Sequence, residues 1–293
     1  MDPPDRGGTV GRESYWSTDP DDLLRVGDGF LLSERDPDAK PAFDGGKRDG
    51  EKALAEGAGI LADLQERLYA AGTQGDQRRV LLVLQAMDTA GKGGIVSHVV
   101  GAMNPGGVRY TGFKKPTAEE LAHDFLWRIE KAVPAAGQVG VFDRSHYEDV
   151  LIGRVRRLAP PEEIERRYRA INDFERELTE SGTSIVKVML HLGEDEQKKR
   201  LMDRLDRADK RWKFTTNDVD ERMLWDDYQQ AFQVVFDRTS TVDAPWFVVP
   251  ANRKWYARIA VQHLLIDALE RMDLGWPLPS YDVDEQRARL AAT

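Results

Sequence analysis

The stretch Arg79-Val-Leu-Leu-Val-Leu-Gln-Ala-Met-Asp-Thr-Ala-Gly-Lys-Gly-Gly-Ile-Val-Ser97 decides the fold of this chain. Its apolar run, residues 80–84, is typical of a strand buried on both faces, as in a parallel sheet. A loop of small residues follows, and helical spacing then resumes. A strand, a glycine-rich turn and a helix start form the context in which backbone N–H groups bind phosphate. The predicted phosphate-binding residues of this loop are Thr89, Ala90, Gly91, Gly93 and Gly94, with Lys92 reaching the outer phosphates.

The loop departs from the P-loop pattern G-x-x-x-x-G-K-[ST] at two positions. Ala86 stands where the first glycine is expected, and Gly93 replaces the Ser or Thr after the lysine. Without that hydroxyl, a magnesium ion has to find protein ligands elsewhere, and Asp88 is the nearest candidate. The alternative is an ordinary turn between a strand and a helix with an incidental lysine. The loop alone does not decide between the two.

Composition restricts the class of protein. The chain has 293 residues, 41% hydrophobic and 32% charged, which describes a globular protein with one large or two small domains. No apolar run approaches the ~20 residues of a spanning helix, and the start Met-Asp-Pro-Pro-Asp lacks the features of a signal peptide. Because cysteine is absent, disulfides and thiolate metal sites are excluded. We expect a cytoplasmic protein without a membrane partner.

The charge distribution bears on the substrate. A formal net charge of -9 argues against a nucleic-acid binder, which usually has a basic excess. A polyanionic substrate would instead need a local concentration of Lys and Arg. Such concentrations occur at residues 154–176 and 198–213.

Strands and helices alternate after the loop, which predicts a mostly parallel sheet covered by helices on both faces, a three-layer αβα sandwich. We expect an irregular N-terminal arm (1–48), a P-loop kinase domain (49–275) and a C-terminal tail (276–293). The predicted strands are residues 80–84, 138–142, 184–190 and 246–249. The principal predicted helices are residues 50–71, 93–103, 117–133, 160–180, 194–205, 217–238 and 252–272.

A second constellation follows the second predicted strand. Asp143 ends an apolar run, and Arg144 comes directly after it. An aspartate at the carboxyl end of a buried strand, beside a phosphate loop, can hold magnesium, and the arginine can turn toward a phosphate. The alternative is an aspartate that caps the next helix and an arginine that is ordinary surface charge. No histidine has metal-ligand spacing, so we assign none a metal role.

A third constellation is a stripe of arginines at Arg200, Arg204, Arg207 and Arg211, followed by Lys213. The spacings of 4, 3 and 4 place the arginines on one face if the segment is helical. P-loop kinases carry a lid here that closes arginines over the transferred phosphoryl group, and we predict a lid at about 200–225. The alternative is a solvated face with local ion pairs. Lys114 and Arg128 are further candidate substrate-binding residues, with a structural role as the alternative.

Several runs together resemble one family. They are residues 87–94 (MDTAGKGG), 142–151 (FDRSHYEDVL), 211–214 (RWKF), 244–246 (APW) and 254–256 (KWY). From about residue 50 to residue 272 the chain resembles the polyphosphate kinase 2 family. The sequence HYEDVL is most similar to that of the class III branch, whose members phosphorylate nucleoside monophosphates and diphosphates.

The resemblance implies a thymidylate-kinase-like fold and phosphoryl transfer between inorganic polyphosphate and ADP or AMP, with Mg²⁺ or Mn²⁺. It implies that Asp88 and Asp143 bind metal, that Lys92 is the loop lysine, and that Arg144 and lid arginines such as Arg204 and Arg207 neutralise phosphate charge. We expect a homo-oligomer, a dimer or a tetramer. An ATP-dependent nucleotide or nucleoside kinase and a non-catalytic nucleotide-binding switch are the alternatives.

Overall fold

A five-stranded parallel sheet lies at the centre of the computed structural model, which describes residues 15–293. The strands are β1 (Arg79–Ala86), β2 (Val108–Gly112), β3 (Val139–Asp143), β4 (Thr183–His191) and β5 (Trp246–Pro250). Their order across the sheet is β2-β3-β1-β4-β5, and every pairing is parallel. The glycine loop therefore follows the central strand. The predicted α/β sandwich is confirmed.

The helices cover both faces of this sheet. In chain order they are α1 (Pro20–Leu24), α2 (Lys47–Thr73), α3 (Lys92–His98), α4 (Ala118–Leu121), α5 (Trp127–Glu130), α6 (Ile152–Val155), α7 (Pro161–Glu180), α8 (Glu194–Asp206), α9 (Asn217–Arg222), α10 (Trp225–Thr239), α11 (Lys254–Glu270) and α12 (Val283–Ala291). Short 3₁₀ segments include His146–Asp149 and Arg211–Lys213.

Alternate residues of each strand enter two separate hydrophobic cores. Leu82 and Leu84 pack with α2, α3 and α11, whereas Leu81 and Val83 pack with α5, α7 and α10. This division follows from the period of two along a strand, and it explains why the strands read as continuous apolar runs. Lys187, in the middle of β4, is fully buried and is the charged exception.

The four predicted strands are all present, but β2 was missed. Its side chains are half-buried or exposed, because β2 lies at the edge of the sheet and pairs only with β3. An edge strand with little apolar alternation gives a weak sequence signal.

Three predicted helices are broken. The helix over 93–103 ends at His98, and the 3₁₀ segment Val100–Ala102 follows it. The helix over 117–133 begins with the expected capping box of Thr117 and Glu120 but ends at Leu121, and α5 follows separately. Asp124 accepts a hydrogen bond from the N–H of Leu126 at 3.1 Å, a local turn that competes with the helix. The prediction of one helix over 217–238 is also wrong, because α9 and α10 are separate elements.

The arm packs on the sheet where the structure describes it. Leu24 and Leu32 are buried, and the N–H of Val26 donates to the carbonyl of Trp246 at 2.8 Å. Residues 1–14 of the predicted arm lie outside the described residues. In the predicted tail, α12 forms a short helix with no buried residue. Within residues 15–293, no helix is both long and apolar enough to cross a membrane.

Candidate active site

The ends of β1 and β3 lie side by side at the carboxyl edge of the sheet. Leu84 pairs with Asp143 in the parallel register, so the glycine loop after β1 and the Asp-Arg pair after β3 start from adjacent positions. Ligands of open α/β sheets bind at this edge. The sheet therefore brings together two motifs that are more than 50 residues apart in the sequence.

The loop has the backbone geometry of an anion-binding turn. Gly91 has a φ of 119°, which favours glycine, and Thr89 has a φ of 68°. The N–H groups of Gly94 and Ile95 donate to the carbonyl of Gly91, at 2.8 and 3.1 Å, and start α3. A Cβ added at Gly93 would meet nothing within 4 Å, so the space above this residue is open to a ligand.

Lys92 carries the free positive charge of the loop. Its Nζ lies 3.5 Å from the carbonyl oxygen of Ala86, which is long for a hydrogen bond. Among residues 15–293 no carboxylate lies within the 4.0 Å of an ion pair with Lys92. The ammonium group is therefore available to an anionic ligand.

Arg144 lies between the carboxylates of the site. Its Nη2 is 3.3 Å from Asp88 Oδ1, and its backbone adopts the left-handed region with a φ of 63°. Burial would lower the pKa of Arg144, but the neighbouring carboxylates of Glu148, Asp88 and Asp143 outweigh burial and raise it. Asp143 in addition accepts a hydrogen bond from Tyr110 Oη at 3.3 Å. Predicted residues Asp88, Asp143 and Arg144 thus form one electrostatic group.

Glu148 is a third carboxylate of this group, and the sequence analysis did not predict it as a site residue. Burial raises the pKa of Glu148, although Arg144 and Lys92 act in the opposite direction. In the amide orientation that satisfies its neighbours, Gln85 donates to Glu148 Oε1 at 2.9 Å. The available signal was its place five residues after Asp143 in a run already marked as functional.

The three carboxylates fit a hard divalent cation. Mg²⁺ prefers oxygen ligands and usually takes one or two carboxylates together with substrate phosphates and water. In residues 15–293 the triple of Asp, Glu or His side chains with ligand atoms within 4.8 Å of one another lies elsewhere, at Asp19, Asp21 and His263. Asp88, Asp143 and Glu148 therefore do not form a preassembled cluster of three ligands, and the metal-binding role of Asp88 and Asp143 stays a prediction.

Arg200 holds the glycine loop from behind. Each of its five N–H donors has an acceptor. Glu196 accepts one hydrogen bond at 2.8 Å. The other acceptors are backbone carbonyls, those of Thr89 and Ala90 at 3.0 and 3.1 Å and those of Ala251 and Asn252 at 2.8 and 2.9 Å. Guanidinium has no further donor. In this arrangement the protein itself occupies the Arg200 side chain, and the prediction that Arg200 binds phosphate stays a prediction.

The other lid cations are not on one face. Helix α8 ends at Asp206, so only Arg200 and Arg204 lie on it. Arg207 pairs with Asp209 at 2.9 Å, and Arg211 donates to the carbonyl of Leu205 at 2.8 Å. Arg204 lies 3.6 Å from Asp218, and Lys213 lies over the ring of Trp212. In this arrangement Arg204, Arg207, Arg211 and Lys213 bond within the lid segment, and their phosphate role stays a prediction.

A wide cleft opens from Arg144 toward the lid. Its wall includes the predicted residues Lys114 and Arg128, and its rim includes Leu121, Leu158 and Met223. Arg128 is buried, and its Nη1 donates to the carbonyl of Lys114 at 2.9 Å. Asp124, four residues before Arg128, instead accepts a hydrogen bond from Arg166 at 2.9 Å. Lys115, Arg156 and Arg167 add further positive charge.

A second basic group, on the α11 side of the loop, was also missed. The guanidinium of Arg258 lies 3.6 Å from the position that a Cβ of Gly94 would occupy. Burial lowers the pKa of Lys254, and the neighbouring cations of Arg200 and Arg258 lower it further. Within the described part of the chain neither Lys254 nor Arg258 has a carboxylate at ion-pair distance. Lys254 lies in the run 254–256 that contributes to the family resemblance, and Arg258 follows one helical turn later.

Comparisons with known proteins agree with this geometry. The family model described as Polyphosphate kinase 2 matches residues 45–275. An AMP/ADP-polyphosphate phosphotransferase of Meiothermus ruber is 48% identical over 250 residues, covering 85% of this chain and 92% of that protein. An ADP-polyphosphate phosphotransferase of Rhodopseudomonas palustris is 43% identical over 229 residues, or 74% and 78% of the two chains. A crystal structure of Polyphosphate Kinase 2 from Arthrobacter aurescens has a TM-score of 0.94 at 60% identity, covering 95% of this chain and 98% of that one.

Proposed function

The chain belongs to the polyphosphate kinase 2 family, and from that premise we propose that it transfers a phosphoryl group between inorganic polyphosphate and ADP, and also AMP. It is a polyphosphate:nucleotide phosphotransferase. The observation that carries the proposal is Lys92 of the glycine loop, which has no carboxylate at ion-pair distance within residues 15–293, beside the group formed by Asp88, Asp143, Arg144 and Glu148. The relatives from Meiothermus ruber, an AMP/ADP-polyphosphate phosphotransferase, and from Rhodopseudomonas palustris, an ADP-polyphosphate phosphotransferase, support ADP and AMP as acceptors.

We assign the two substrates to opposite sides of the loop. The nucleotide would occupy the cleft between Lys114, Arg128 and Arg144. The polyphosphate would follow the basic group of Lys254 and Arg258 on the α11 side. A donor without a base needs only an electropositive path, and local basic groups can attract a polyanion to an acidic protein.

The chain's own residues stabilise charge during transfer. The terminal phosphate oxygen of the acceptor attacks in line, and charge builds on the oxygens of the transferred group. Lys92 and Arg144 would neutralise that charge, and backbone N–H groups of the loop would contribute further stabilisation. Arg204 and Arg207 would join them when the lid closes. No side chain has to remove a proton, since a phosphate nucleophile is ionised at neutral pH.

The metal requirement is part of the proposal. Asp88 and Asp143 would hold Mg²⁺ or Mn²⁺, with Glu148 beside them. When bound, the cation would supply positive charge to the phosphate oxygens. The carboxylates otherwise orient Arg144, which contacts Asp88 at 3.3 Å.

A transfer assay tests the assignment. The protein is mixed with ADP, Mg²⁺ and polyphosphate, and ATP is measured by luminescence; parallel reactions contain AMP, GMP and GDP. We expect ATP from ADP and ADP from AMP. An ATP-dependent nucleotide kinase would form no more ATP with polyphosphate than without it, and a nucleotide-binding switch would bind ADP without transfer. Either result would refute the proposal. The predicted dimer or tetramer can be measured by light scattering on the same sample.

A further inference from the structure

The turn after β3 has two sides with opposite surroundings. Arg144 and Glu148 face the cleft, whereas His146 and Tyr147 point into the core and are 1% and 0% exposed. The turn is the 3₁₀ segment His146–Asp149, and Ser145 Oγ accepts from the N–H of Tyr147 at 3.2 Å. In a turn this short, the contacts of the buried side determine where the cleft side points.

A buried ion pair contacts the side chains on the inner side of the turn. Tyr147 Oη donates to Glu175 Oε1 at 2.7 Å, and His146 Nε2 lies 3.3 Å from the same oxygen. Lys187 Nζ contacts Glu175 Oε2 at 2.5 Å. Glu175 belongs to α7 and Lys187 to β4, so two elements of the sandwich meet at this turn.

The ammonium group of Lys187 donates every hydrogen bond that it can form. Besides Glu175, its Nζ donates to Tyr147 Oη at 3.0 Å and to the carbonyl of Thr239 at 2.7 Å, which uses all three ammonium protons. Burial would raise the pKa of Glu175, but the charge of Lys187 and the contact with His146 outweigh burial and lower it. Glu175 therefore stays ionised, and the network has fixed directions.

Stability alone explains this ion pair poorly. Replacing a buried ion pair by apolar residues of similar size is often neutral or stabilising, since desolvation offsets the attraction. Lys187 interrupts an otherwise apolar strand, and such departures from local rules are expected where function demands them. The directional bonds of the pair end on Tyr147 and His146, next to Arg144 and Glu148.

We propose that the Lys187–Glu175 pair is a positioning device for phosphoryl transfer, which acts through Tyr147 and His146 to fix Arg144 and Glu148 against Asp88. These residues do not touch substrate. The proposal rests on the proposed function, because it assigns the pair a role in that reaction. A displacement of about 1 Å at a reacting group can cost about 10²-fold in rate.

The test uses the full-length chain with the double substitution Lys187→Met/Glu175→Leu and the single substitution Tyr147→Phe. Tyr256→Phe is the matched control, because its hydroxyl is equally buried and donates to the carbonyl of Pro41 at 2.9 Å on the other side of the sheet. Three quantities are measured: kcat and KM for ADP with polyphosphate, thermal unfolding, and amide hydrogen exchange of residues 144–149.

We expect the double variant to fold and to lose about 10²-fold in kcat, with KM for ADP changed less than about threefold. Tyr147→Phe should lose about tenfold in kcat, and Tyr256→Phe should keep the wild-type value. Exchange at residues 144–149 should be faster in both network variants and unchanged in the control.

A folded double variant with kcat within about threefold of the wild type would overturn the proposal. If the double variant does not fold, equal kcat values for Tyr147→Phe and Tyr256→Phe would overturn it. A wild-type protein without transfer activity would refute the proposed function instead. In that case the exchange of residues 144–149 still decides the positioning role, since unchanged exchange in Tyr147→Phe would refute it.

Discussion

Arginine side chains have different surroundings at the glycine loop and in the lid segment. Arg200, beneath the loop, is 7% exposed and bonds to four backbone carbonyls and Glu196. Arg207, in the lid, has a side chain 51% exposed and pairs only with nearby aspartates. Buried, fully bonded groups open rarely, whereas exposed segments with few apolar contacts open easily. We therefore expect the glycine loop to hold a phosphate in place and the lid segment to move toward it.

The largest expected effect is a loss of kcat from substitutions at the glycine loop and the adjacent Asp143. Lys92→Ala and Asp143→Asn should each lower kcat at least about 10³-fold, because each removes charge stabilisation that develops in the transition state. Their free energies of unfolding should stay close to the wild-type value, since neither side chain is buried in the core. The measurements are steady-state ATP formation and urea unfolding.

Lys47→Ala removes an equally charged but exposed lysine and is the control, with no expected change in either quantity. Wild-type-like rates in Lys92→Ala or Asp143→Asn would contradict the assigned site.

Arg200→Met should damage both stability and activity. The substitution leaves four carbonyls and Glu196 without their donor, which we expect to lower the free energy of unfolding by about 3 kcal/mol and kcat about 10²-fold. Urea unfolding and the transfer assay measure the two effects. A variant of normal stability that loses only affinity for polyphosphate would mean that Arg200 contacts the phosphate after all.

Arg204→Ala and Arg207→Ala should show the opposite pattern. Removing exposed or half-buried partners of local ion pairs should change the free energy of unfolding by less than about 1 kcal/mol. The same substitutions should lower kcat about 10- to 100-fold if the lid carries these charges to the phosphoryl group. If both variants were fully active, the lid would have no electrostatic part in transfer.

Glu148→Gln should have the smallest effect on kcat. It should also change stability and activity in opposite directions at about pH 8. Burial raises the pKa of Glu148 above 4.5, so the folded state favours the protonated form. The stabilisation that this gives is present below the unfolded pKa and is lost as the pH rises through the folded pKa. The glutamine variant should therefore be more stable than the wild type at about pH 8, with a smaller difference at about pH 4.

The same substitution should lower kcat about tenfold, because Glu148 helps to hold Arg144. We expect the wild type to lose activity when Glu148 takes up a proton, and the glutamine variant should show less of this loss. Unfolding at the two pH values and a pH profile of kcat provide the measurements. A glutamine variant that is less stable at about pH 8 would contradict the charge assignment.

The sequence predicted most of the site because its main residues lie in two continuous runs. Lys92 and Asp88 are four residues apart, and Asp143 and Arg144 are neighbours. The register of β1 with β3 then joins the runs. Residues outside the runs were not predictable in this way. Arg200 was expected to bind phosphate, and nothing in its spacing indicates that backbone carbonyls of two loops surround it.

The sequence by itself determined the alternating α/β fold, the phosphate loop and the Asp-Arg strand end, because apolar periodicity and short motifs are local properties. Only the tertiary structure decided which charges remain free. Lys92, Lys254 and Arg258 stay without a carboxylate partner within the described chain, whereas Arg200 and Lys187 are used up by the protein. A charge acts on a ligand or on the fold according to its neighbours across the sheet, and these neighbours come from distant parts of the chain.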